Sequence, residues 1–441
     1  MIDYGIFKAY DVRGIYPTSL HKEAAFLVGQ AFIKHSGAKK VAVGFDARLS
    51  GPELKESLIA GIISQGADVY DIGQTPTEGI YFAVANYDFD AGVMITASHN
   101  PKEYNGFKML TKKPGDLVRV VRGIDLLSVV KENNFETKTP GAIFQKDIWN
   151  DYVDYVLKFA GTIKPFKVVV DASNGVIGSV FSKLKDKLPI EIIDLHFNPD
   201  GNFPNHSPNP LEPGASEKAQ ALIKAQGADF GFMFDGDADR IFLLDENGAL
   251  VQGDITLLLL AKTLLKKYPG MGVAYNATCS RAVEEMVKQW QGVPVRTQVG
   301  FVNVREGLIL HNGIVGGETS CHYCFRDYFY MDSGIVAFLT LLNLITEDGR
   351  KVSEMVKELS LYVKTEMNFK VSDKEKALEM IKQKYADGQQ DFLDGITVWY
   401  QDWWFNVRPS NTEPLLRLTI EADTQELLSA KKEELSKLIA E

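Results

Sequence analysis

Hydroxyl, imidazole and amide side chains follow a short apolar segment in residues 96–101 (TASHNP). The preceding residues 91–95 (AGVMI) are apolar and bounded by polar residues, which predicts a buried strand. Lys108 lies ten residues after Ser98, on a second short predicted strand. A serine on a tight turn beside His99, with a lysine nearby, is typical of a nucleophile or a phosphate carrier. An ordinary polar turn between two strands would read the same, so this stretch alone leaves both interpretations open.

Three aspartates, Asp235, Asp237 and Asp239, alternate in the stretch DGDADR between two predicted apolar strands. Alternate positions of an extended segment lie on one face, about 7 Å apart, where unit charges repel by about 2 kcal/mol per pair. Oxygen ligands without His or Cys favour Mg²⁺, with Mn²⁺ and Ca²⁺ as alternatives. The EF-hand is excluded because Arg240 stands where that loop needs glycine. A solvated acidic turn is the remaining alternative.

Two further stretches suit the binding of a phosphorylated sugar. Glu318 and Ser320 follow paired glycines, which let a loop approach a ligand closely, and their side chains suit hydrogen bonds to vicinal hydroxyls. Residues 408–414 (RPSNTEP) combine a guanidinium with hydroxyls and an amide, which can hold a phosphate without a P-loop. Near the N-terminus, Arg13 adds another candidate cation. Each stretch can instead be a turn in which these residues only set the geometry.

The segments that carry these residues alternate between strand and helix patterns. Ser19 can cap a first helix that ends near Gly37. The following predicted elements are a strand over 39–46, a helix over 52–65, a strand over 67–72 and a helix over 78–86. This alternation predicts a mainly parallel sheet with helices on its faces.

One phrase recurs along the chain, at 41–50, 168–175 and 273–280. Each copy has an apolar strand, then Asp or Asn, then Ala, then small polar residues. Such long-period similarity favours duplicated α/β units, with chance similarity of short segments as the alternative.

The end of the chain has a different pattern, with three predicted strands followed by a charged amphipathic helix. The strands cover 396–400, 403–407 and 415–421, and the helix covers 424–440. We therefore expect a separate α+β domain there. The predicted domains are 1–148, 149–252 and 253–365, all α/β with mixed sheets, and 366–441, the α+β domain.

Composition limits the function classes. The 441 residues are 45% hydrophobic and 24% charged, and the net charge is −10. That charge argues against partners such as nucleic acid or an anionic membrane, so an anionic substrate must bind through local Lys and Arg side chains. Without a signal peptide pattern or a long apolar span, we expect a cytoplasmic protein.

Taken together, these motifs resemble the α-D-phosphohexomutase family, in the family's order and over nearly the whole chain. TASHNP resembles the phosphoserine loop, DGDADR the metal loop, GETS the sugar-specificity loop and RPSNTEP the phosphate-binding loop. Residues 321–327 (CHYCFRD) are similar to the bacterial phosphomannomutase/phosphoglucomutase branch. Thr319 departs from the family's usual Met, His or Gln, which leaves the preferred sugar open.

The resemblance implies an enzyme of four domains around a central cleft. It would move phosphate reversibly between C1 and C6 of a mannose or glucose phosphate, through a phosphoserine and a hexose 1,6-bisphosphate that also serves as activator. The implied catalytic residues are Ser98, His99, Lys108, Arg13, Arg240 and His322. The implied ligands of one Mg²⁺ ion are Ser98, Asp235, Asp237 and Asp239. The implied substrate-binding residues are Tyr10, Glu318, Ser320, Arg408, Ser410, Asn411 and Thr412.

Several alternatives stay open from the sequence. His99, Lys108 and His322 are all candidates for proton transfer. A phosphoglucosamine mutase is an alternative within the class. A metal-dependent sugar phosphatase would use the same serine and acidic loop, and a non-catalytic binding protein would not need Ser98. We expect a monomer or a weak homodimer that binds small hexose phosphates.

Overall fold

The computed structural model describes residues 2–113, 115–371, 373–409 and 415–440. The chain forms two compact units, of which the first comprises 1–251 with 327–352 and the second 252–326 with 353–441. Among the described residues, no helix is both long enough and apolar enough to cross a bilayer.

A mixed sheet with helices organises the N-terminal part of the first unit. Its strands are β1 (Val12–Ile15), β2 (Lys40–Phe45), β3 (Asp68–Gln74), β4 (Ala91–Ile95), β5 (Tyr104–Thr111), β6 (Arg119–Val121) and β7 (Ile143–Gln145). Its helices are α1 (Lys22–Ser36), α2 (Gly51–Ser64), α3 (Thr77–Asn86) and α4 (Gly123–Glu132). The strand order is β1-β5-β4-β2-β3-β7, with β6 beside β5. Strand β2 runs parallel to β3 and β4, as the alternation of strands and helices predicts, and β5 runs antiparallel to β4.

The start of α1 differs from the prediction. Ser19 does not cap this helix, because its hydroxyl accepts a hydrogen bond from the Ile15 amide at 2.8 Å and so closes the preceding turn. The His21 side chain caps α1 instead, by accepting from the Ala24 amide. The predicted end is confirmed, since Gly37 stops the helix in the left-handed conformation at φ 68°.

The second α/β domain of the first unit has a smaller mixed sheet. Its elements are α5 (Trp149–Val156), β8 (Phe166–Asp171), α6 (Ile177–Leu184), β9 (Ile190–Leu195), α7 (Glu217–Gln226), β10 (Phe230–Phe234) and β11 (Ile241–Leu244). The strand order is β11-β10-β8-β9. Strand β10 is parallel to β8 and antiparallel to β11. The loop between β10 and β11 therefore lies at the carboxyl end of the parallel pair, and it carries the three aspartates.

The third α/β segment begins the second unit. Its elements are α8 (Gly253–Lys267), β12 (Gly272–Asn276), α9 (Arg281–Gln289), β13 (Val293–Thr297), α10 (Phe301–Leu310), β14 (Gly313–Gly317) and β15 (Tyr323–Phe325). Strand β12 is parallel to both β13 and β14, and β15 is antiparallel to β14. The chain then contributes β16 (Met331–Asp332) and α11 (Gly334–Asp348) to the first unit, before α12 (Val352–Leu359).

The C-terminal domain is an antiparallel sheet with helices, as predicted. Its elements are β17 (Val363–Phe369), α13 (Lys374–Lys384), β18 (Gln389–Asp391), β19 (Ile396–Trp399), β20 (Trp403–Pro409), β21 (Leu416–Ala422) and α14 (Gln425–Ala440). The strand order is β17-β21-β20-β19-β18. The three predicted strands correspond to β19, β20 and β21, which form the buried centre of this domain.

A buried carboxyl group, Glu78, connects α3 to the start of α11 within the first unit. The Ser333 hydroxyl donates a hydrogen bond to Glu78 and also caps α11 by accepting from the Val336 amide at 3.0 Å. The Tyr328 hydroxyl donates to the Glu78 backbone carbonyl at 2.8 Å. Burial raises the pKa of Glu78 to about 8, so this carboxyl group is mostly neutral at pH 7.

We expect Glu78 to make stability fall as pH rises. Because its folded-state pKa is raised, the folded protein holds this proton more tightly than the unfolded chain, and the resulting stabilisation is lost as pH rises from about 4.5 through 8. Replacing Glu78 with Gln removes that titration. The free energy of unfolding of the wild type should therefore fall relative to that of Glu78→Gln between pH 5 and 9, by on the order of a few kcal/mol.

Urea titrations at several pH values measure this difference. The exposed Glu132→Gln variant is the matched control and should follow the wild type at every pH. Parallel stability curves for wild type and Glu78→Gln would contradict a neutral buried carboxyl group.

Candidate active site

Ser98 lies on the turn directly after β4, in a left-handed backbone conformation at φ 50°. For a non-glycine residue this conformation costs on the order of 1 kcal/mol. The Ser98 amide donates to the Thr96 hydroxyl at 2.8 Å, which offsets part of that cost. The turn directs the Ser98 hydroxyl onto Asp235, where Oγ donates to Oδ2 at 2.8 Å. The predicted nucleophile and the predicted metal loop thus meet within the first unit.

The three aspartates of the β10–β11 loop converge and are buried. Carboxylate oxygens of Asp235, Asp237 and Asp239 all lie within 4.8 Å of one another. Unit charges at that separation repel by about 3 kcal/mol per pair at an effective dielectric constant near 20. Burial and the charges of the other two aspartates raise the pKa of Asp235 well above its ordinary value. A bound cation would relieve this repulsion.

Asp237 presents one oxygen to the protein and one to the site. Its Oδ2 accepts hydrogen bonds from the Thr77 hydroxyl at 2.5 Å, the Thr96 hydroxyl at 3.2 Å and the Lys108 ammonium at 2.6 Å. Its Oδ1 is buried and has no hydrogen-bond partner among the described residues. An oriented, desolvated carboxylate oxygen beside two more carboxylates and a serine hydroxyl is a donor set that fits Mg²⁺.

Lys108 reaches the same carboxylates from β5. Its ammonium is bonded to Asp237 and Asp239, and it is mostly buried. Burial alone would lower the pKa of Lys108, but attraction to Asp237, Asp239 and Asp332 outweighs it and raises that pKa above its ordinary value. Lys108 is therefore a fixed cation at neutral pH.

Three other predicted residues of the first unit, Arg13, Arg240 and His99, lie near the Ser98 turn or Asp235. Arg13 donates to the Asn100 side chain at 2.7 Å and pairs with Asp11. The Arg240 amide donates to Asp235 at 3.3 Å, and its Nε lies 3.7 Å from the same carboxylate. His99 Nδ1 lies 3.3 Å from the Ser98 hydroxyl. Tyr10 lies in the bend before β1, partly buried.

In the second unit, the turn after β14 carries a second polar cluster. Glu318 is buried and accepts from the Gly300 amide at 2.8 Å and from the Asn276 side chain at 3.3 Å. His322 Nδ1 lies 3.2 Å from Glu318 and 3.1 Å from the Ser320 hydroxyl. Burial alone would raise the pKa of Glu318, but the hydrogen bonds from His322, Gly300 and Asn276 outweigh it and lower that pKa. Glu318 is therefore a fixed hydrogen-bond acceptor.

Arg408 lies near the end of β20 and is 5% exposed. Burial lowers its pKa, while Asp394, Glu366 and Glu318 oppose that shift. Its Nε is buried without a hydrogen-bond partner among the described residues, which suits an anion ligand. The remaining predicted phosphate ligands, Ser410, Asn411 and Thr412, lie outside the described residues.

Sequence reasoning missed the residues that hold these groups in place. Thr77, at the start of α3, binds Asp237 through its hydroxyl and also donates its amide to the Asp237 carbonyl at 3.0 Å. Arg48, in the first copy of the repeated phrase, is buried against the Ser98 loop. The recurrence of that phrase before each helix was the one available signal, and it did not single out the arginine.

Four family descriptions match the chain in order. They are phosphoglucomutase/phosphomannomutase alpha/beta/alpha domain I at 5–122, domain II at 150–248, domain III at 252–362, and the C-terminal domain at 366–438. Together they cover most of the chain. The protein belongs to the phosphoglucomutase/phosphomannomutase family.

Relatives support this membership over the whole length. A protein described as phosphohexose mutases from Xanthomonas campestris is 35% identical, with 98% of each chain covered. A phosphomannomutase from Vibrio cholerae is 36% identical, again with 98% of each covered. The structure of a phosphoglucomutase/phosphomannomutase family protein from Burkholderia thailandensis has a TM-score of 0.90 and 32% identity, covering 100% of this chain and 98% of that one. As a family member, the protein is a phosphohexomutase, an isomerase.

We expect metal binding by the aspartate loop between β10 and β11 to depend on Asp237. The Asp237→Asn variant keeps the shape of the side chain but removes the charge and offers the ion a poorer ligand. Its affinity for Mn²⁺, used as a spectroscopic substitute for Mg²⁺, should fall at least about tenfold in titrations followed by electron paramagnetic resonance. Asp194→Asn, at an exposed position of β9, is the control and should bind Mn²⁺ like the wild type. Equal affinity in all three proteins would place the ion elsewhere.

Proposed function

We propose that the protein transfers phosphate reversibly between C1 and C6 of a hexose phosphate, with mannose and glucose phosphates as substrates. The phosphoryl group would be carried by Ser98, and a hexose 1,6-bisphosphate would be both the intermediate and the activator. The observation that carries the proposal is the Ser98 hydroxyl, held 2.8 Å from Asp235 beside two more buried carboxylates and a fixed lysine.

In the proposed reaction, the bond between phosphorus and Ser98 Oγ breaks while a bond forms to the oxygen of the free 1- or 6-hydroxyl of the sugar. The sugar hydroxyl loses one proton in this step and Ser98 Oγ gains one. The second phosphate of the resulting bisphosphate then returns to Ser98. Lys108, held as a cation by two carboxylates, stabilises negative charge on the transferring group. It cannot serve as a base in that state. His99, 3.3 Å from Ser98 Oγ, is the group we assign to proton exchange with the serine.

One Mg²⁺ ion, held by Asp235, Asp237, Asp239 and an oxygen of phosphorylated Ser98, would supply Lewis-acid stabilisation of the phosphoryl oxygens. Asp237 is prepared for this role because its Oδ2 is fixed by Thr77, Thr96 and Lys108. Arg13 and Arg240 add positive charge near the same serine loop and carboxylates.

In the second unit, we assign substrate recognition to Glu318, Ser320 and Arg408. Glu318 stays ionised and oriented, so it can accept hydrogen bonds from two adjacent sugar hydroxyls. His322 orients Glu318 and Ser320, which makes it a positioning residue for sugar binding in this proposal. Arg408, with Ser410, Asn411 and Thr412, would hold the phosphate that is not reacting, and Tyr10 would also contact the substrate.

³¹P NMR with Mg²⁺, glucose 1-phosphate and a trace of glucose 1,6-bisphosphate tests the proposal. The wild type should convert the 1-phosphate signal to a 6-phosphate signal without inorganic phosphate. Ser98→Ala should lose at least about 1,000-fold in rate, because the variant lacks the hydroxyl that would carry the phosphoryl group, yet still bind the sugar phosphate in calorimetry. Ser360→Ala, at an exposed serine, should retain wild-type turnover.

Each other outcome is informative. Undiminished turnover by Ser98→Ala would overturn the phosphoserine route. Growth of inorganic phosphate alone would favour the metal-dependent phosphatase. A kcat/KM highest for glucosamine 1-phosphate would make the protein a phosphoglucosamine mutase and would leave the Ser98 chemistry intact.

A further inference from the structure

Arg48 makes an unusually complete set of contacts with the Ser98 loop. It is 1% exposed. One terminal nitrogen donates to the carbonyls of Ser98 at 2.7 Å and Asn100 at 2.6 Å, and the other to those of Pro101 at 2.7 Å and Tyr104 at 2.9 Å. Four of its five N–H groups therefore donate to one segment of seven residues, 98–104.

Arg48 is itself fixed from two sides. Its Nε lies 3.3 Å from the buried Asp46 carboxylate, which also accepts from the Arg48 amide at 2.9 Å and from the Thr96 hydroxyl at 2.7 Å. The ring of Phe203 covers the guanidinium, with 5.3 Å between the guanidinium carbon and the ring centroid. Such stacking of a guanidinium on a ring holds its plane as well as its position.

The contacts of Arg48 extend to the metal loop through one carbonyl. The Ser98 carbonyl that accepts from Arg48 faces Gly236 on the other side, where a Cβ atom would lie 2.8 Å from that oxygen. Gly236 separates Asp235 from Asp237 in sequence. The Ser98 carbonyl oxygen thus lies between the Arg48 guanidinium and the carboxylate loop.

We infer that Arg48 is a positioning residue for phosphoryl transfer, and this inference rests on the proposed function of Ser98. By holding four carbonyl oxygens, it keeps Ser98 in its left-handed conformation with Oγ directed at the carboxylates. Arg48 also turns those carbonyl oxygens toward its own guanidinium. The amide N–H of His99, on the opposite edge of the Ser98–His99 peptide, therefore points away from the guanidinium. The role requires no contact between Arg48 and the substrate.

A lysine at this position tests the geometry while keeping the charge. An ammonium is a single point with three donors, so it cannot reproduce four hydrogen bonds from a planar fork. In Arg48→Lys the loop should keep a buried cation but lose its fixed orientation. A displacement of about 1 Å at a reacting atom lowers rates by about 100-fold.

The experiment measures kcat and KM for glucose 1-phosphate per phosphorylated enzyme. Intact mass spectrometry after incubation with glucose 1,6-bisphosphate gives the fraction that carries one phosphoryl group. Arg48→Lys should accept the phosphoryl group and bind substrate with KM within about threefold of wild type, whereas kcat per phosphorylated chain should fall about 100-fold. A merely structural role would reduce the active fraction and leave kcat per phosphorylated chain unchanged.

Arg296→Lys is the matched control. Arg296 is partly buried in the second unit, where it donates to Asp391 at 2.7 Å and to Thr397 at 3.0 Å. Its kcat per phosphorylated chain should stay within about twofold of wild type. A loss equal to that of Arg48→Lys would show a general effect of removing a hydrogen-bonded guanidinium and would overturn the inference.

A second variant covers the case in which Arg48→Lys does not fold. Phe203→Leu removes the ring from the guanidinium but leaves all four hydrogen bonds, so kcat per phosphorylated chain should fall about fivefold with KM unchanged. Unchanged kcat in Phe203→Leu, when Arg48→Lys is unfolded, would overturn the positioning role. If the wild type itself never carries phosphate on Ser98, the proposed function fails. If the wild type is active and Arg48→Lys is unimpaired, only the inference about Arg48 fails.

Discussion

The need to neutralise three buried carboxylates is the constraint on which the first unit depends. Asp235, Asp237 and Asp239 lie within 4.8 Å of one another at the carboxyl end of a parallel strand pair, where repulsion is strong and water is scarce. Lys108 supplies one fixed cation, and Oδ1 of Asp237, which has no hydrogen-bond partner in the described part of the chain, leaves a position for another. The serine turn is directed onto this cluster through the bond from Ser98 to Asp235. The hydroxyl that we propose as the phosphate carrier is thereby placed where the buried carboxylates require positive charge.

Much of this arrangement could be predicted from sequence, because short motifs fix local chemistry. Apolar runs bounded by polar or turn-forming residues predict the strands around DGDADR, the polar turn at Ser98 and the α+β C-terminal domain. Ser19 shows the limit of such patterns: a hydroxyl before a helix can cap it or close the preceding turn, and here it closes the turn. Arg48 and Thr77 were missed because their partners lie tens of residues away, and only the folded sheet brings these residues together.

Each of the two units holds charged side chains in fixed positions. The net charge is −10, yet the cations proposed for phosphate lie beside acidic groups: Lys108 is bonded to two buried aspartates, and Arg408 lies near Asp394 and Glu366. Fixed cations of this kind cost no reorganisation when an anion arrives. Glu318 is a fixed anion, oriented by His322 and a backbone amide, and we propose that it accepts hydrogen bonds from the hydroxyls of the sugar. Preorganised charge of both signs is what a phosphorylated sugar requires of its enzyme.

The most direct test of the account is to follow a labelled phosphoryl group onto the protein and off again. The wild type is incubated with Mg²⁺ and ³²P-labelled glucose 1,6-bisphosphate, quenched, digested and mapped, and a parallel sample is chased with unlabelled glucose 1-phosphate before quenching. The account predicts label on the peptide that contains Ser98, approaching one group per chain, and its transfer to sugar phosphate in the chase. Label on another residue, or label released only as inorganic phosphate, would contradict it.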